Sequence, residues 1–113
     1  MNGTLRQLPL ICSTAAILLA ATTASWSQMS PAEQRGRAFA QANCSNCHSI
    51  DKVSPSPLPI APPFRDLHDR YPVERLEEAL GEGIVTGHQN MPEFRLAPDQ
   101  IGNFIAFLKT LQR

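Results

Sequence analysis

Two cysteines and a histidine stand close together in the sequence, as Cys44, Cys47 and His48. In a Cys-x-x-Cys-His motif each cysteine sulfur can add to one vinyl group of a haem, because this spacing lets both sulfurs reach one edge of the macrocycle. The histidine that follows then lies under the iron, where a ring nitrogen becomes an axial ligand. The motif therefore predicts one covalently attached haem c, with thioether links at the two cysteines and His48 as the proximal ligand.

The same residues allow two other interpretations. A redox-active dithiol also uses Cys-x-x-Cys, but such a site follows a β-strand in an α/β chain, and no stretch of this chain has the pattern of a strand. A zinc site needs four ligands, so His68 and His88 would have to complete it. The export signal described below favours haem or a disulfide over such a zinc site. Haem attachment is therefore the interpretation that the motif favours.

The second axial ligand of the iron must come from elsewhere in the chain, and it decides the function. The candidates downstream of the motif are His68, His88 and Met91, whereas Met29 precedes the first helix and is poorly placed. Met91 is an apolar residue in a polar loop, where it has little packing reason to stand, and Pro92 fixes the backbone directly after it. We therefore expect Met91 to bind the iron, with His88 as the competing ligand.

A pair of histidine and methionine ligands indicates electron transfer rather than catalysis. A thioether favours ferrous over ferric iron, so this pair raises the reduction potential relative to two histidines. Ligands that stay bound in both oxidation states leave no position on the iron for oxygen or a substrate. We therefore expect an electron carrier and not an enzyme.

The N-terminal segment has the composition of an export signal. Arg6 precedes a mostly apolar run that ends near Ala24, and small residues continue to Ser27. A basic start, an apolar middle and a small-residue exit describe a cleaved secretory signal peptide, with cleavage after Ala24 or Ser27. A retained membrane anchor is the alternative, but the interrupted run falls short of the ~20 apolar residues that a span prefers. We expect residues 1–27 to be removed and residues 28–113 to form one periplasmic domain without a membrane anchor.

Length and charge restrict the function further. The chain has 113 residues, enough for one small domain, and its ten basic and ten acidic residues cancel. A chain without net charge has no broad cationic field, so we do not expect nucleic acid as a partner.

A domain this small buries limited apolar area. We therefore expect the haem to supply much of the core and the apo chain to be largely unfolded.

Helices are expected on both sides of the haem motif. The stretch Ser30-Pro31-Ala32-Glu33 is a capping box that opens a helix running towards Asn43. Pro98 opens a second helix with an apolar stripe at helical spacing. The stripe consists of Ile101, Phe104, Ile105 and Leu108, widened by Phe107 and Leu111. We expect it to pack on the Gly36–Phe39 face of the first helix, because a glycine inside a helix usually marks a close approach of another backbone.

Two unlike segments connect these helices. Residues 49–63 contain five prolines, which exclude a helix or a central strand, so we expect an extended loop. Residues 72–82 have the pattern of a third helix that starts at Pro72 and is capped by Gly81 or Gly83. The predicted fold class is therefore all-α, with three main helices and long loops wrapped around one haem.

With these elements in place, residues 30–112 resemble the class I c-type cytochromes, small monohaem proteins of the bacterial periplasm and the mitochondrial intermembrane space. In that family the attachment motif ends the first helix, and the distal methionine lies in a loop before the last helix, often followed by proline, as Met91 is here. The resemblance implies that a proline carbonyl accepts a hydrogen bond from the proximal histidine. Pro62 is the best match to that proline, and Pro63 is the alternative.

The resemblance also has consequences for the crossing of the first and last helices. It implies that Gly36 packs against an aromatic residue of the last helix, which is Phe107 here. Many members have an aromatic residue four positions before the first cysteine, whereas this chain has Ala40. We expect Phe39 and Phe104 to compensate for that difference.

Three functions are compatible with such a domain. The first is a soluble, monomeric carrier that exchanges one electron with redox protein donors and acceptors through transient interfaces. The second is the haem-bearing, electron-accepting subunit of a periplasmic dehydrogenase complex, with residues 57–60 as the candidate apolar contact patch. The third is a haem-based gas sensor, in which Met91 leaves the iron. The residues favour the first of these functions.

Overall fold

The computed structural model describes residues 28–83 and 90–112. They form three α-helices and two short 3-10 helices. In chain order these are α1 (Pro31–Asn43), the 3-10 helices Phe64–Asp69 and Val73–Arg75, α2 (Leu76–Glu82) and α3 (Pro98–Thr110). The described part of the chain contains no β-strand, which confirms the predicted all-α class. The predicted signal peptide lies outside the described residues, and no helix within them is long and apolar enough to cross a membrane.

The predicted capping box begins α1. The hydroxyl of Ser30 accepts a hydrogen bond from the Glu33 N–H at 3.3 Å, and the Glu33 carboxylate accepts one from the Ser30 N–H at 2.6 Å. Pro31 holds the first helical position, where its missing N–H removes no intrahelical hydrogen bond. The two reciprocal bonds satisfy backbone donors that a helix start leaves unpaired, and they fix the start of the helix that leads into the haem motif.

Helices α1 and α3 pack against each other at Gly36, as predicted. A Cβ atom on Gly36 would overlap the backbone carbonyl of Asn103 and would lie 2.8 Å from Cβ of Phe107, so this approach requires glycine. Ala40, one turn further along α1, is completely buried. The apolar stripe of α3 is also buried, and it consists of Ile101, Phe104, Ile105, Phe107 and Leu108. The crossing of α1 and α3 is therefore the centre of the core.

The predicted third helix differs from the structure in its first turn. Val73–Arg75 is a 3-10 helix that follows Pro72, so α2 itself starts at Leu76. Gly83, with a φ of 109°, ends α2, whereas Gly81 lies inside the helix. The side chain of Val73 is buried in this tighter first turn. Its burial depends on packing against other elements, which the periodicity of the sequence does not show.

The proline-rich segment 49–63 has no helix or strand, as predicted. The guanidinium of Arg65 holds it by donating to the carbonyl of Ser54 at 2.7 Å. Arg65 belongs to the 3-10 helix Phe64–Asp69, which the sequence did not predict and which buries Phe64 and Leu67. The segment therefore leads directly into a short element that anchors it to the core.

Candidate functional site

The Cys-x-x-Cys-His motif forms a single turn at the end of α1. Cys44 is the C-terminal cap of the helix, and its N–H donates to the Ala40 carbonyl at 2.8 Å. The N–H groups of Cys47 and His48 both donate to the Cys44 carbonyl, at 3.1 and 2.9 Å. The end of the helix and the turn thus hold two thiols and one imidazole on one short, hydrogen-bonded piece of backbone.

Both cysteines of the motif are half-buried free thiols. Burial raises the pKa of the Cys44 thiol to about 11, so this thiol is protonated at neutral pH. A redox-active dithiol needs a thiolate with a lowered pKa, and the raised pKa of Cys44 therefore argues against that interpretation. Two unpaired thiols are what addition to the two vinyl groups of a haem requires.

His68 and Met29 make their described contacts with residues outside the motif. The side chain of His68 is 40% exposed and its Nε2 lies 3.3 Å from the carboxylate of Asp69. Met29 packs against the core ahead of α1, and His88 lies outside the described residues. Among the residues that the structure describes, no group of three or more His, Cys, Asp or Glu side chains is arranged to hold a metal ion. The described residues therefore give no support to a zinc site.

One ring nitrogen of His48 is hydrogen-bonded, and the other has no hydrogen-bond partner among the described residues. Nδ1 lies 2.8 Å from the carbonyl oxygen of Pro62. Because a carbonyl can only accept, Nδ1 carries the hydrogen, and Nε2 keeps the lone pair with which a neutral imidazole coordinates a metal. The contact is made by Pro62 and not by Pro63, the alternative that the sequence left open.

Phe64 supports the same imidazole through its backbone and through its ring. The N–H of Phe64 donates to the carbonyl of Ser49, the residue after His48, at 2.9 Å. The ring of Phe64 lies beside the imidazole, with 4.9 Å between the ring centroids and 36° between the planes. The orientation of His48 is therefore set by a hydrogen bond to one edge of its ring and by an aromatic ring beside it.

Phe64 is one end of a chain of four phenylalanine rings in mutual contact, which we call the aromatic row. Its members are Phe64, Phe104, Phe39 and Phe94. The three successive pairs have centroid distances of 5.8, 5.5 and 6.1 Å and interplanar angles of 72°, 67° and 76°. Such edge-to-face arrangements match the positive edge of one ring to the negative face of the next. Phe39 and Phe104 thus pack together near the buried Ala40, as expected.

The segment that carries Met91 is fixed to two helices. Met91 itself is half-buried. Phe94 meets Phe39 of α1 at the far end of the aromatic row. The N–H of the buried Leu96 donates to the carbonyl of Leu80 in α2 at 2.8 Å. The structure therefore anchors this segment within five residues of Met91, and ligation of iron by Met91 stays a prediction.

Sequence reasoning did not identify Phe64 and Phe94 as residues of the site. Contacts between rings on different elements depend on tertiary packing, which periodicity does not show. A weak signal was present, since an aromatic residue follows Pro62 by two positions and Met91 by three.

The residues of this site fit a covalently attached haem. The motif offers two free thiols and an imidazole whose Nε2 has no partner among the described residues, and the ring of Phe64 lies beside that imidazole. Two thiols that can bond the vinyl groups, one imidazole nitrogen that can bind the iron, and apolar surroundings together suit a covalently attached haem.

Comparison with known proteins agrees with this arrangement. A protein-family model described as Cytochrome c matches residues 33–112 of the chain. Searches of the curated proteins and of the solved structures gave no match. The matched range includes the haem motif, the aromatic row, Met91 and α3.

Proposed function

Because the family match spans most of its length, the chain belongs to the cytochrome c family, and we propose that it is a periplasmic one-electron carrier. The family implies electron transfer through a covalently bound haem c. In the proposed protein one haem is linked through Cys44 and Cys47, with His48 and Met91 as the axial ligands. When bound, it supplies a one-electron couple between ferric and ferrous iron.

The observation that carries the proposal is the hydrogen bond from His48 to Pro62. The carbonyl of Pro62 holds Nδ1 in its protonated form at 2.8 Å, which fixes the tautomer and the ring orientation. A hydrogen bond of this kind raises the basicity of the other ring nitrogen and so strengthens it as a ligand. A structural histidine on the surface needs neither a fixed tautomer nor an aromatic ring beside it.

In the proposed protein, Met91 closes the other axial position. It is half-buried on a segment whose backbone is restrained by Pro92 and anchored through Phe94 and Leu96. Its thioether favours the reduced state and raises the potential. Two ligands that remain bound leave no position for a substrate, so the proposed protein is a carrier rather than an enzyme.

Partners of such a carrier are redox proteins that meet it transiently. The ten basic and ten acidic residues of the chain cancel, so the proposal includes weak long-range electrostatic steering of these partners. The proposed protein is a monomer that meets its partners through small, transient interfaces. The proposed periplasmic location rests on the composition of residues 1–27, which fits a cleaved export signal.

The direct test is an intact mass and a visible spectrum of the exported protein. We expect the mass of residues 25–113 or 28–113 plus one haem, and a spectrum of six-coordinate haem c in both oxidation states. A Met91→Ala variant is expected to lower the potential and to bind carbon monoxide when reduced. Colourless exported protein would overturn the proposal, and a spectrum unchanged in Met91→Ala would remove Met91 from the iron.

A second candidate function is an electron-accepting subunit of a dehydrogenase complex. One observation favours it: Ile60 is 75% exposed and Leu58 is 36% exposed in the proline-rich segment. Exposed apolar side chains near each other are typical of stable interfaces. Purification of the tagged protein with a large dehydrogenase subunit would support this function, whereas a monomer on gel filtration supports the free carrier.

A further inference from the structure

We propose that Phe39 of α1, acting through the ring of Phe94, is a positioning residue that holds Met91 on the iron. This inference rests on the proposed function, because it takes Met91 as the distal ligand. The observation behind it is the contact between the two rings, whose centroids are 6.1 Å apart at an angle of 76°.

The contact acts over a short length of chain. Between Met91 and Phe94 stand only Pro92 and Glu93, and the ring of Pro92 removes most of the backbone freedom at its own position. Displacement of Phe94 therefore moves Met91, and a fixed Phe94 restricts where the methionine sulfur can go.

The polar contacts of this segment hold it less firmly. The carboxylate of Glu93 lies 3.8 Å from the guanidinium of Arg95, and both side chains are more than half exposed. An exposed ion pair of this length contributes little. The backbone bond of Leu96 to Leu80 fixes the far end of the segment, two residues beyond Phe94. The aromatic contact is therefore the apolar anchor nearest to Met91 that the described residues provide.

Phe39 is well suited to this role because of where it lies on α1. It stands five residues before Cys44, so one rigid helix carries both the ring that meets Phe94 and the first of the two cysteines. On its other side Phe39 packs against Phe104 of α3, at 5.5 Å between centroids, which prevents its ring from turning away. The covalent attachment point and the support of the distal segment thus belong to the same element.

The test measures how far the sixth coordination position of the iron opens in the reduced holoprotein. Carbon monoxide binds only when the methionine has left, so its apparent affinity reports the open population. We expect Phe39→Leu and Phe94→Leu each to raise that affinity about threefold to tenfold, the range that loss of one aromatic pair gives. The double variant should bind no more tightly than the better single variant, because both changes remove the same contact.

A matched control separates positioning from general loosening of the fold. Phe107 lies in the same α1–α3 crossing, against Gly36, and is 2% exposed. No ring contact joins Phe107 to the aromatic row among the described residues. Phe107→Leu should therefore destabilise the protein at least as much as Phe39→Leu while the affinity for carbon monoxide changes less than about twofold. In parallel, the NMR signal of the Met91 methyl group, shifted by the ring current of the haem, should broaden or move only in the Phe39 and Phe94 variants.

Each outcome bears on a different statement. If Phe39→Leu and Phe107→Leu raise the affinity equally, or if neither Phe39→Leu nor Phe94→Leu raises it, the positioning role of Phe39 is wrong while ligation by Met91 stands. If Met91→Ala binds carbon monoxide no better than the unaltered protein, ligation by Met91 is wrong and the positioning role fails with it. Higher affinity in both ring variants, without a change in Phe107→Leu, supports the inference.

Discussion

The ammonium group of Lys109 lies 2.8 Å from a carboxylate oxygen of Glu74, so the last turn of α3 is tied to the 3-10 helix that leads into α2. This contact joins two elements that are far apart in the chain and that flank the segment carrying Met91. The hydrogen bond from Lys109 lowers the pKa of Glu74.

We expect Lys109→Met to raise the pKa of Glu74 towards the ordinary value of a glutamate, about 4.3. Since the folded-state pKa is the lowered one, the stabilisation from this pair is present above the unfolded-state pKa and is lost as the pH falls through the folded-state pKa. An NMR titration of the Glu74 carboxyl carbon in the two proteins measures the change. Lys109→Arg keeps the charge and should keep the pKa low; a similar rise in that variant would contradict the assignment of the effect to the ion pair.

Replacement of Gly36 by alanine should destabilise the holoprotein. The new methyl group would overlap the Asn103 carbonyl and lie 2.8 Å from Cβ of Phe107, and overpacking of this kind costs about 1–3 kcal/mol. Gly102→Ala is the matched control, because a Cβ there meets nothing within 4 Å in the same structure. Alanine at position 102 should stabilise α3 by about 0.5–1 kcal/mol, since glycine is the poorer helix former. Unfolding by denaturant gives both values, and equal effects of the two substitutions would show that the close approach is absent.

Loosening the support of His48 should raise the reduction potential. Pro62→Ala keeps the carbonyl that accepts from Nδ1 but frees the backbone that aims it, so the imidazole becomes a weaker donor and the ferric state is less stabilised. Pro59→Ala changes an exposed proline of the same segment and leaves the peptide bond between Pro62 and Pro63 intact, so it should leave the potential nearly unchanged. Redox titrations measure the reduction potentials of the two variants. A lower potential in Pro62→Ala than in the unaltered protein would contradict this explanation.

Asp51 should make the loop after the haem motif sensitive to acid. Its carboxylate accepts hydrogen bonds from the N–H groups of Val53 and Ser54, at 2.8 and 2.6 Å. The bonds to Ser54 and then to Val53 lower the pKa of Asp51 to about 2. Because the folded-state pKa is lowered, the stabilisation is fully present above about pH 4, the unfolded-state value, and is lost as the pH falls through about 2.

The free energy of unfolding of Asp51→Asn should therefore depend less on pH between about pH 4 and 2 than that of the unaltered protein. Asparagine keeps an acceptor oxygen for Val53 and Ser54 but does not titrate, so the variant should lose little stability at neutral pH. Asp51→Ala removes the acceptor as well and should be less stable at all these pH values. Identical pH profiles for Asp51→Asn and the unaltered protein would exclude Asp51 as the source of the acid sensitivity.

The helices that frame the site could be predicted because local chemistry specifies them. The capping box at Ser30 marks the start of α1, and the apolar spacing after Pro98 marks both α3 and its buried face. Gly36 predicted where the two helices meet, because a glycine inside a helix usually marks a close approach of another backbone. The resemblance to a known family then indicated a proline carbonyl for His48.

Other features escaped prediction because they depend on contacts between distant parts of the chain. The 3-10 helix Phe64–Asp69 forms where Phe64 and Leu67 become buried, and no periodicity precedes it. The expected contact of Phe39 with α3 is confirmed, but its second contact, with the ring of Phe94 after Met91, is one that helical spacing does not show. His88 and the predicted export signal lie outside the described residues. The role of His88 as a competing ligand and the cleaved signal peptide therefore stay predictions.

The crossing at Gly36 also bears on how the protein is made. A chain that emerges N-terminus first presents Cys44 and Cys47 long before α3 exists, and without α3 the buried face of α1 has nothing to cover it. The core at this crossing can therefore close only after the last helix has emerged, because Gly36 lies on the first helix of the domain and Asn103 on the last.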